Sequence, residues 1–389
     1  MAAFQALDYY AIDSLYTEEE RMARDTVRDL VNREVMPDIG KHFEAGTFPK
    51  ELIPTFGELG LLGPSLTGYG CSGMSPTAYG LICQELERGD SGIRSFCSVQ
   101  GSLCMYPIWA YGSEEQKNKY LPGMAAGKII GCFGLTEPDH GSNPSGMITK
   151  AVRTDTGYRL NGTKRWITNG SIAQIAIVWA KLDDKIRGFI VPTDSKGFTA
   201  QDIHGKWSLR ASVTSELIME DCEVSEDALM PDVTGLRGPL GCLNQARFGI
   251  AFGAVGAMLA CYEESLSYAG SRIQFGQPIS GFQLVQEKLA TMVTEITKAQ
   301  LLNLQLGRLK EAGTMRPQQV SLAKRNNVYW AREIARTGRD ILGANGVTND
   351  YQCGRHMLNI ESVYTYEGTH DIHTLVLGQD VTGISAFSS

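Results

Sequence analysis

The chain of 389 residues is long enough for two or three domains, and with 43% hydrophobic against 20% charged residues it can bury sizeable cores. Its net charge of −7 leaves no basic field to draw in nucleic acid, and no block of Lys and Arg makes a local exception. Nine scattered cysteines without a C-x-x-C pair argue against a disulfide framework or a zinc knuckle and fit a reducing compartment. The opening MAAFQALDYYAIDSLYTEEE lacks a basic n-region and an apolar h-region, and no apolar run reaches the length of a membrane span. A cytoplasmic protein is expected, or a mitochondrial matrix protein after processing, with no membrane or nucleic-acid partner.

Thr17 followed by Glu20 makes a capping box, and Val27, Leu30, Val31 and Val35 then recur at helical spacing, so a helix is predicted to run toward residue 44. PTAYGLICQELERGD has a helical pattern, and Ser113 with Gln116 repeats the capping signature. From about 130 to 235 the pattern turns to strands. YRLNGTKRWITNG carries an Asn-Gly turn between strand-like runs, and AQIAIVWAKL and IRGFIVPT are short and β-branched. Helices return after residue 238, with Leu289, Met292, Val293, Ile296, Leu302, Leu306 and Leu309 forming one stripe and Pro317 opening a further helix that ends near Gly343. The expected layout is α+β in three parts: a helical domain over 1–128, a β domain over 129–236 and a helical bundle over 237–389.

Several segments bear chemistry. Gly68-x-Gly70-x-x-Gly73 has the spacing of a dinucleotide loop, but it follows a helix-like stretch rather than a strand and is read as a glycine-rich connection. His370 and His373 stand at i, i+3 with only Glu367 and Asp371 nearby, so packing or hydrogen bonding is expected of them and no metal site. GCFGLTEPDHGSNPSG offers small residues, Thr136, Ser142 and free amides; KRWITNG adds the flat face of Trp166 and the hydroxyl of Thr168, a pairing suited to a planar heterocycle. Arg94 enters an apolar stretch and needs an anionic partner, which either Glu87 or Asp90 would supply. In TYEGTHDIH, Glu367 is a lone carboxylate between an aromatic ring and a glycine.

With FGLTEP…GS, WIT, RIQFG, DILGANG and YEGTHDIH in this order, the whole chain resembles the acyl-CoA dehydrogenases, and among them the glutaryl-CoA-specific members. The resemblance implies an N-terminal helical domain, a middle β domain and a C-terminal four-helix bundle, assembled as a homotetramer with FAD. It implies that Phe133, Leu135, Thr136, Gly141, Ser142, Trp166, Ile167 and Thr168 hold the isoalloxazine. Arg272, Phe275, Gln283, Asp340, Gly343 and Ala344 would reach the FAD of a neighbouring subunit, and Thr369, Asp371 and Phe387 would complete the cofactor site.

By the same resemblance Glu367 is the base that takes the α-proton of an acyl thioester, beside Tyr366 and with Gly368 giving room, and burial should raise its pKa. Arg94 and Ser95 would bind the distal carboxylate of a glutaryl chain, with Glu87 and Tyr366 matching members that go on to decarboxylate. Leu243, Asn244 and Arg247, with Ser142, would line the CoA arm. Three positions depart from the pattern: Asn143, Ala344, and Gly170 ahead of Ser171, which leaves a third contact to the distal carboxylate open. The implied activity is oxidation of glutaryl-CoA with decarboxylation to crotonyl-CoA, electrons passing to an electron-transfer flavoprotein. An acyl-CoA oxidase or a monocarboxylic acyl-CoA dehydrogenase is the alternative on the same fold, and a non-catalytic scaffold the alternative from another class.

Overall fold

The computed structural model describes residues 7–387. Its first part is helical: α1 Glu18–Leu30, α2 Ile39–Ala45, α3 Ile53–Glu58, α4 Pro76–Gly89, α5 Ser91–Ser98, α6 Tyr106–Tyr111 and α7 Glu114–Ala125. Both predicted capping boxes form: the Glu20 amide donates to Thr17 Oγ1 at 3.2 Å and the Gln116 amide to Ser113 Oγ at 3.2 Å. The first predicted helix is interrupted by a π-turn at Val31–Val35 before α2. α4 is buried on every side after Pro76, so the charges it carries must be paired inside the protein.

Seven strands follow: β1 Gly131–Gly134, β2 Lys150–Thr154, β3 Gly157–Thr168, β4 Ile175–Leu182, β5 Lys185–Pro192, β6 Phe198–Asp202 and β7 Thr214–Ser225. They form one sheet in the order β1-β4-β2-β3-β7-β6, with β5 on the other side of β4. The expected Asn-Gly hairpin is not there. Asn161 and Gly162 lie inside the continuous strand β3, where a register shift between Leu160 and Gly162 marks a bulge; the actual turn is at 155–156, with Thr154 pairing Gly157. The strand continues because β7 pairs it on both sides of the bulge, which outweighs the local turn preference. β4 is buried on both faces: Ile175, Ile177 and Trp179 face the core shared with the N-terminal helices, while Ala176, Val178 and Ala180 face the sheet's own core.

The chain ends in α8 Arg237–Ser271, the small hairpin β8 Ile273–Gln274 and β9 Gln277–Pro278, and then α9 Gln283–Glu311, α10 Pro317–Ile341, α11 Gln352–Thr365 and α12 His370–Thr382. α8 to α11 pack around Ile250, Met258, Ile296, Ile334 and Ile360, and α12 lies on α10. Of the predicted stripe on α9, Leu289, Met292, Ile296 and Leu306 are buried. The Gly68–Gly73 segment is a turn-rich connection after α3, as expected. All nine cysteines are unpaired, and no helix among the described residues is long and apolar enough to cross a membrane.

Two histidines, His356 on α11 and His373 on α12, are fully buried, and burial holds both well below the ordinary histidine range, His373 at about 2. Below about pH 6.5 the unfolded chain therefore takes up two protons that the native state refuses, and stability falls with falling pH by roughly 1.4 kcal/mol per unit for each. Substituting His356→Asn should reduce the slope of unfolding free energy between pH 6 and 5 by that amount, read from urea midpoints; an unchanged slope contradicts the assignment.

Candidate active site

α4 ends at Gly89, and Asp90 in extended conformation caps α5, accepting from the Gly92 amide at 2.7 Å. The second oxygen of Asp90 is taken by Arg355 at 3.0 Å and Asn359 at 2.8 Å, both on α11. Of the two partners the sequence left open for Arg94, Asp90 is therefore committed elsewhere and Glu87 is chosen: Arg94 Nε donates to Glu87 Oε2 at 2.6 Å. Ser91 Oγ also donates to Glu87, at 2.8 Å. Arg94 Nη2 donates to the Tyr366 hydroxyl, while Nη1 is buried without any hydrogen-bond partner. Ser95 is buried beside it. The pair fits against α8 only because position 253 is glycine; a Cβ there would overlap Glu87 Oε2 and press on Arg94 Nε.

Between α11 and α12 the chain makes a tight turn in which Glu367 has φ +53° and Gly368 φ +91°. A left-handed conformation in a residue with a side chain costs of order 1–3 kcal/mol and persists when its surroundings over-determine it. Here three consecutive carbonyls are held. Lys324 Nζ on α10 donates to the carbonyls of Tyr366 at 2.8 Å and Gly368 at 2.6 Å, and Arg247 Nε on α8 donates to that of Glu367 at 2.7 Å. Arg247, expected along the CoA arm, is engaged with the base's own backbone, and its Nη1 donates to Asn244 Oδ1 at 3.3 Å. A Cβ at 368 would crowd both His373 Nε2 and Arg247 Nη2.

Glu367 Oε2 is sealed from solvent with no hydrogen-bond partner. Burial pushes the Glu367 carboxyl above the usual glutamate range, opposed by the positive charges of Arg94, Lys324 and Arg247. Burial likewise pushes Lys324 down to about 7, opposed by Glu367, and raises the Tyr366 phenol. Lys324 escaped the sequence reading. Its signal was a lysine inside the buried stripe Val320, Ala323, Asn327, Val328, Ala331 of α10, a position where a charge has to have a purpose.

The two segments proposed for a planar ring are adjacent. The Arg165 amide donates to the Thr136 carbonyl at 2.9 Å, and the buried Lys164 ammonium reaches the Leu135 carbonyl at 3.1 Å and Glu137 at 2.9 Å. Glu137 in turn accepts the amides of Ile148 and Thr149, which closes the loop containing Gly141 and Ser142, both exposed. Trp166 sits at the register shift between Lys164 and Ile167 with φ +65° and is 57% exposed, so a large flat ring is held out in a backbone conformation that costs energy. Thr136 and Thr168 are half-buried, while the Ile167 side chain points into the sheet's own core and leaves only its backbone for a ligand. Phe133 and Leu135 share a core with Leu243 of α8, one turn before Arg247, which joins this surface to the Glu367 turn.

Other expected positions stand apart within one chain. Arg272, Phe275, Gln283, Gly343, Ala344 and Phe387 are exposed, and Asp340 is paired with Lys288. Thr369 caps α12 by accepting the Ile372 amide at 3.2 Å, and Asp371 is exposed in the first turn. Ser171 is exposed too, while Gly170 is buried against Ser215, which leaves no room there for a side chain. His370 stacks on Tyr364 and His373 Nδ1 pairs with Ser321 Oγ at 3.0 Å, the packing and hydrogen bonding expected of them.

A buried carboxylate on a strained turn, a nearby arginine with one unpaired nitrogen and, on the β part, a flat ring held out to solvent are features suited to an acyl chain and a flat cofactor. Residues 17–128, 132–222 and 234–382 match the N-terminal, middle and C-terminal domains of acyl-CoA dehydrogenases. The probable acyl-CoA dehydrogenase YngJ of Bacillus subtilis is 36% identical over 94% of this chain and 98% of its own, and the short-chain specific acyl-CoA dehydrogenase of Megasphaera elsdenii 33% identical over 90% and 94%. Among solved structures, a glutaryl-CoA dehydrogenase from Mycobacterium smegmatis superposes with a TM-score of 0.96 at 58% identity, covering 97% of this chain and 98% of that one. A glutaryl-CoA dehydrogenase of the same organism in complex with FADH2 gives 0.97 at 53% identity, covering 98% and 99%. A chain in the structure of the electron transferring flavoprotein of Acidaminococcus fermentans gives 0.91 at 32% identity, covering 97% and 100%. The chain belongs to the acyl-CoA dehydrogenase family. It is an FAD-dependent enzyme acting on an acyl-CoA.

The space at Gly253 makes a direct test of the Arg94 pair. Gly253→Ala should drive the Glu87 carboxylate off Arg94 and lower stability by roughly 1–3 kcal/mol, the usual cost of overpacking a core. The readout is the denaturant midpoint of the holoenzyme, and a change below about 0.5 kcal/mol contradicts close packing there.

Proposed function

We propose that the protein oxidises glutaryl-CoA to glutaconyl-CoA and decarboxylates that product to crotonyl-CoA. The observation that supports this reading best is the buried, unpaired Arg94 Nη1. A guanidinium with one arm on Glu87 and another on Tyr366 leaves its third nitrogen for an anion, and a carboxylate is the anion a glutaryl chain brings. Arg94, Arg247 and Lys324 face only Glu87 and Glu367, so with every group ionised the cluster has one positive charge in excess, which a dicarboxylic acyl chain neutralises and a monocarboxylic one does not.

In the proposed reaction Glu367 takes the α-proton of the thioester. Arg94, with Ser95 beside it, holds the distal carboxylate and so fixes which carbon faces the base. FAD supplies the two-electron acceptor for the hydrogen leaving the β-carbon; Phe133, Leu135, Thr136, Gly141, Ser142, Trp166, Ile167 and Thr168 would hold its ring, with Thr369, Asp371 and Phe387 completing the cofactor site. In the second step the γ-carboxylate leaves as carbon dioxide, its bonding electrons return to the conjugated chain, and the proton stored on Glu367 is returned to carbon. A carboxyl whose affinity for protons is raised by burial is suited to keeping that proton between the steps. Leu243, Asn244 and Arg247 on α8, with Ser142, are the proposed lining for the CoA arm. Arg272, Phe275, Gln283, Asp340, Gly343 and Ala344 are proposed to meet the FAD of a neighbouring subunit in a homotetramer; the exposure of Phe275 at 94% beside Ile273 and Leu284 supports a covered face there. An electron-transfer flavoprotein is the proposed electron acceptor.

Incubation with glutaryl-CoA and an artificial acceptor should give crotonyl-CoA by mass; glutaconyl-CoA alone removes the decarboxylation, and no product removes the substrate. Arg94→Lys keeps a charge for Glu87 but loses the fork, and should lower kcat/KM for glutaryl-CoA by about one to two decades, equivalent to about 1.5–3 kcal/mol, while butyryl-CoA changes little. Equal losses on the two substrates would assign Arg94 to structure and favour a monocarboxylic substrate, as in the short-chain relative.

A further inference from the structure

We propose that Lys324 is a positioning residue for the base: by gripping the carbonyls of Tyr366 and Gly368 on either side, its ammonium fixes Glu367 in the left-handed turn and stabilises the carboxylate form. The inference rests on Glu367 acting as the base. Its grounds are geometric. A single ammonium donates to the carbonyls before and after Glu367, at 2.8 and 2.6 Å, while Arg247 takes the carbonyl between them at 2.7 Å, so the three peptide groups of a strained turn are oriented by two cations from two different helices. One turn earlier on α10, Ser321 holds His373 of α12, so the same helix grips the chain on the far side of the turn as well. A lysine that only needed burial would not require two carbonyls aimed at it from either side of a residue with φ +53°.

The charges facing Lys324 come from every packed element. Glu367 and the Tyr366 carbonyl face it from the turn, Arg247 from α8 and Arg94 from α5, with Glu87 of α4 behind Arg94 and His370 and His373 sensing it from α12. Glu367 is the carboxylate that bears most on Lys324, while Arg94 and Arg247 oppose its charge, and the ammonium in turn favours the ionised base alongside Arg94 and Arg247. Removing it leaves Glu367 harder to ionise.

The test uses holoenzymes of the natural sequence, Lys324→Met, Lys324→Gln and Glu367→Gln, with kcat/KM measured against pH for glutaryl-CoA and for butyryl-CoA. Lys324→Met should lower kcat about tenfold or more with KM within about threefold, and shift the acid limb of the profile to higher pH. Amide hydrogen exchange over 364–370 should quicken in the same variant while that of α4 does not. Should Lys324→Met fail to fold, Lys324→Gln, which keeps a donor but no charge, should show the shifted limb with a smaller rate loss. A uniform drop in rate with the limb in place makes Lys324 a structural strut and overturns the proposal, as does an unchanged rate. If Glu367→Gln retains activity, the base is elsewhere and the reading beneath the proposal fails, whereas an inactive Glu367→Gln with an unaltered Lys324→Met sinks the lysine alone.

Discussion

The site depends on keeping one carboxylate, that of Glu367, out of water on a backbone that resists the position. Either demand alone would disfavour the fold: an isolated buried carboxylate takes up a proton to escape its desolvation, and a left-handed glutamate relaxes if its neighbours allow it. Lys324 and Arg247 serve both ends at once, donating to the carbonyls of the turn and adding their charge to that of Arg94 on the carboxylate. Backbone strain and electrostatics are thus coupled through side chains on α10 and α8, and a change in either helix reaches the base.

The three parts of the chain meet on the helix that leads into this turn. α11, which delivers Glu367, is tied to the N-terminal helices by Arg355 and Asn359 on Asp90, and to the β part by the Leu209 amide on Asn359 Oδ1 at 2.8 Å and by Ser208 on Ser362. Asn359 thus holds both other parts at one residue. α8 repeats the arrangement, packing Leu243 with Phe133 and Leu135 of the β part and presenting Arg247 to the turn. Breaking Asp90 would remove the carboxylate partner of a buried arginine, a loss that such pairs feel more than exposed ones.

Local rules recovered the pieces governed by neighbouring residues. Capping boxes, the helical stripe of α9 and the short β-branched runs of β4 and β5 were legible because each is decided within a turn or a strand. The Asn161-Gly162 reading failed because β7 pairs across that dipeptide, a long-range fact with no local trace. In the site, Glu367, Arg94 and Trp166 stood out by motif, and the choice of Glu87 over Asp90 depended on Arg355, distant in sequence. Lys324 and the turn-holding role of Arg247 were hidden for the same reason: nothing near either residue in the chain announces three carbonyls brought to them by a later turn.

The charge count of the cluster constrains the proposed chemistry from start to finish. With Arg94, Arg247 and Lys324 against Glu87 and Glu367, a glutaryl carboxylate brings the buried group to neutrality. In the proposed sequence, transfer of the α-proton to Glu367 moves negative charge from the base to the thioester without changing the total, and the hydrogen leaving the β-carbon takes its electron pair, and with it that negative charge, to the acceptor. In the proposed second step, loss of carbon dioxide would move the carboxylate's charge into the acyl chain and the proton on Glu367 would neutralise it, returning the side chains to their starting excess of one positive charge while the hydride's negative charge stays on the acceptor. On the proposed reading, that excess would then have no anionic tail to hold, which would favour release of the product over retention, and the same imbalance would draw the next dicarboxylic chain to Arg94.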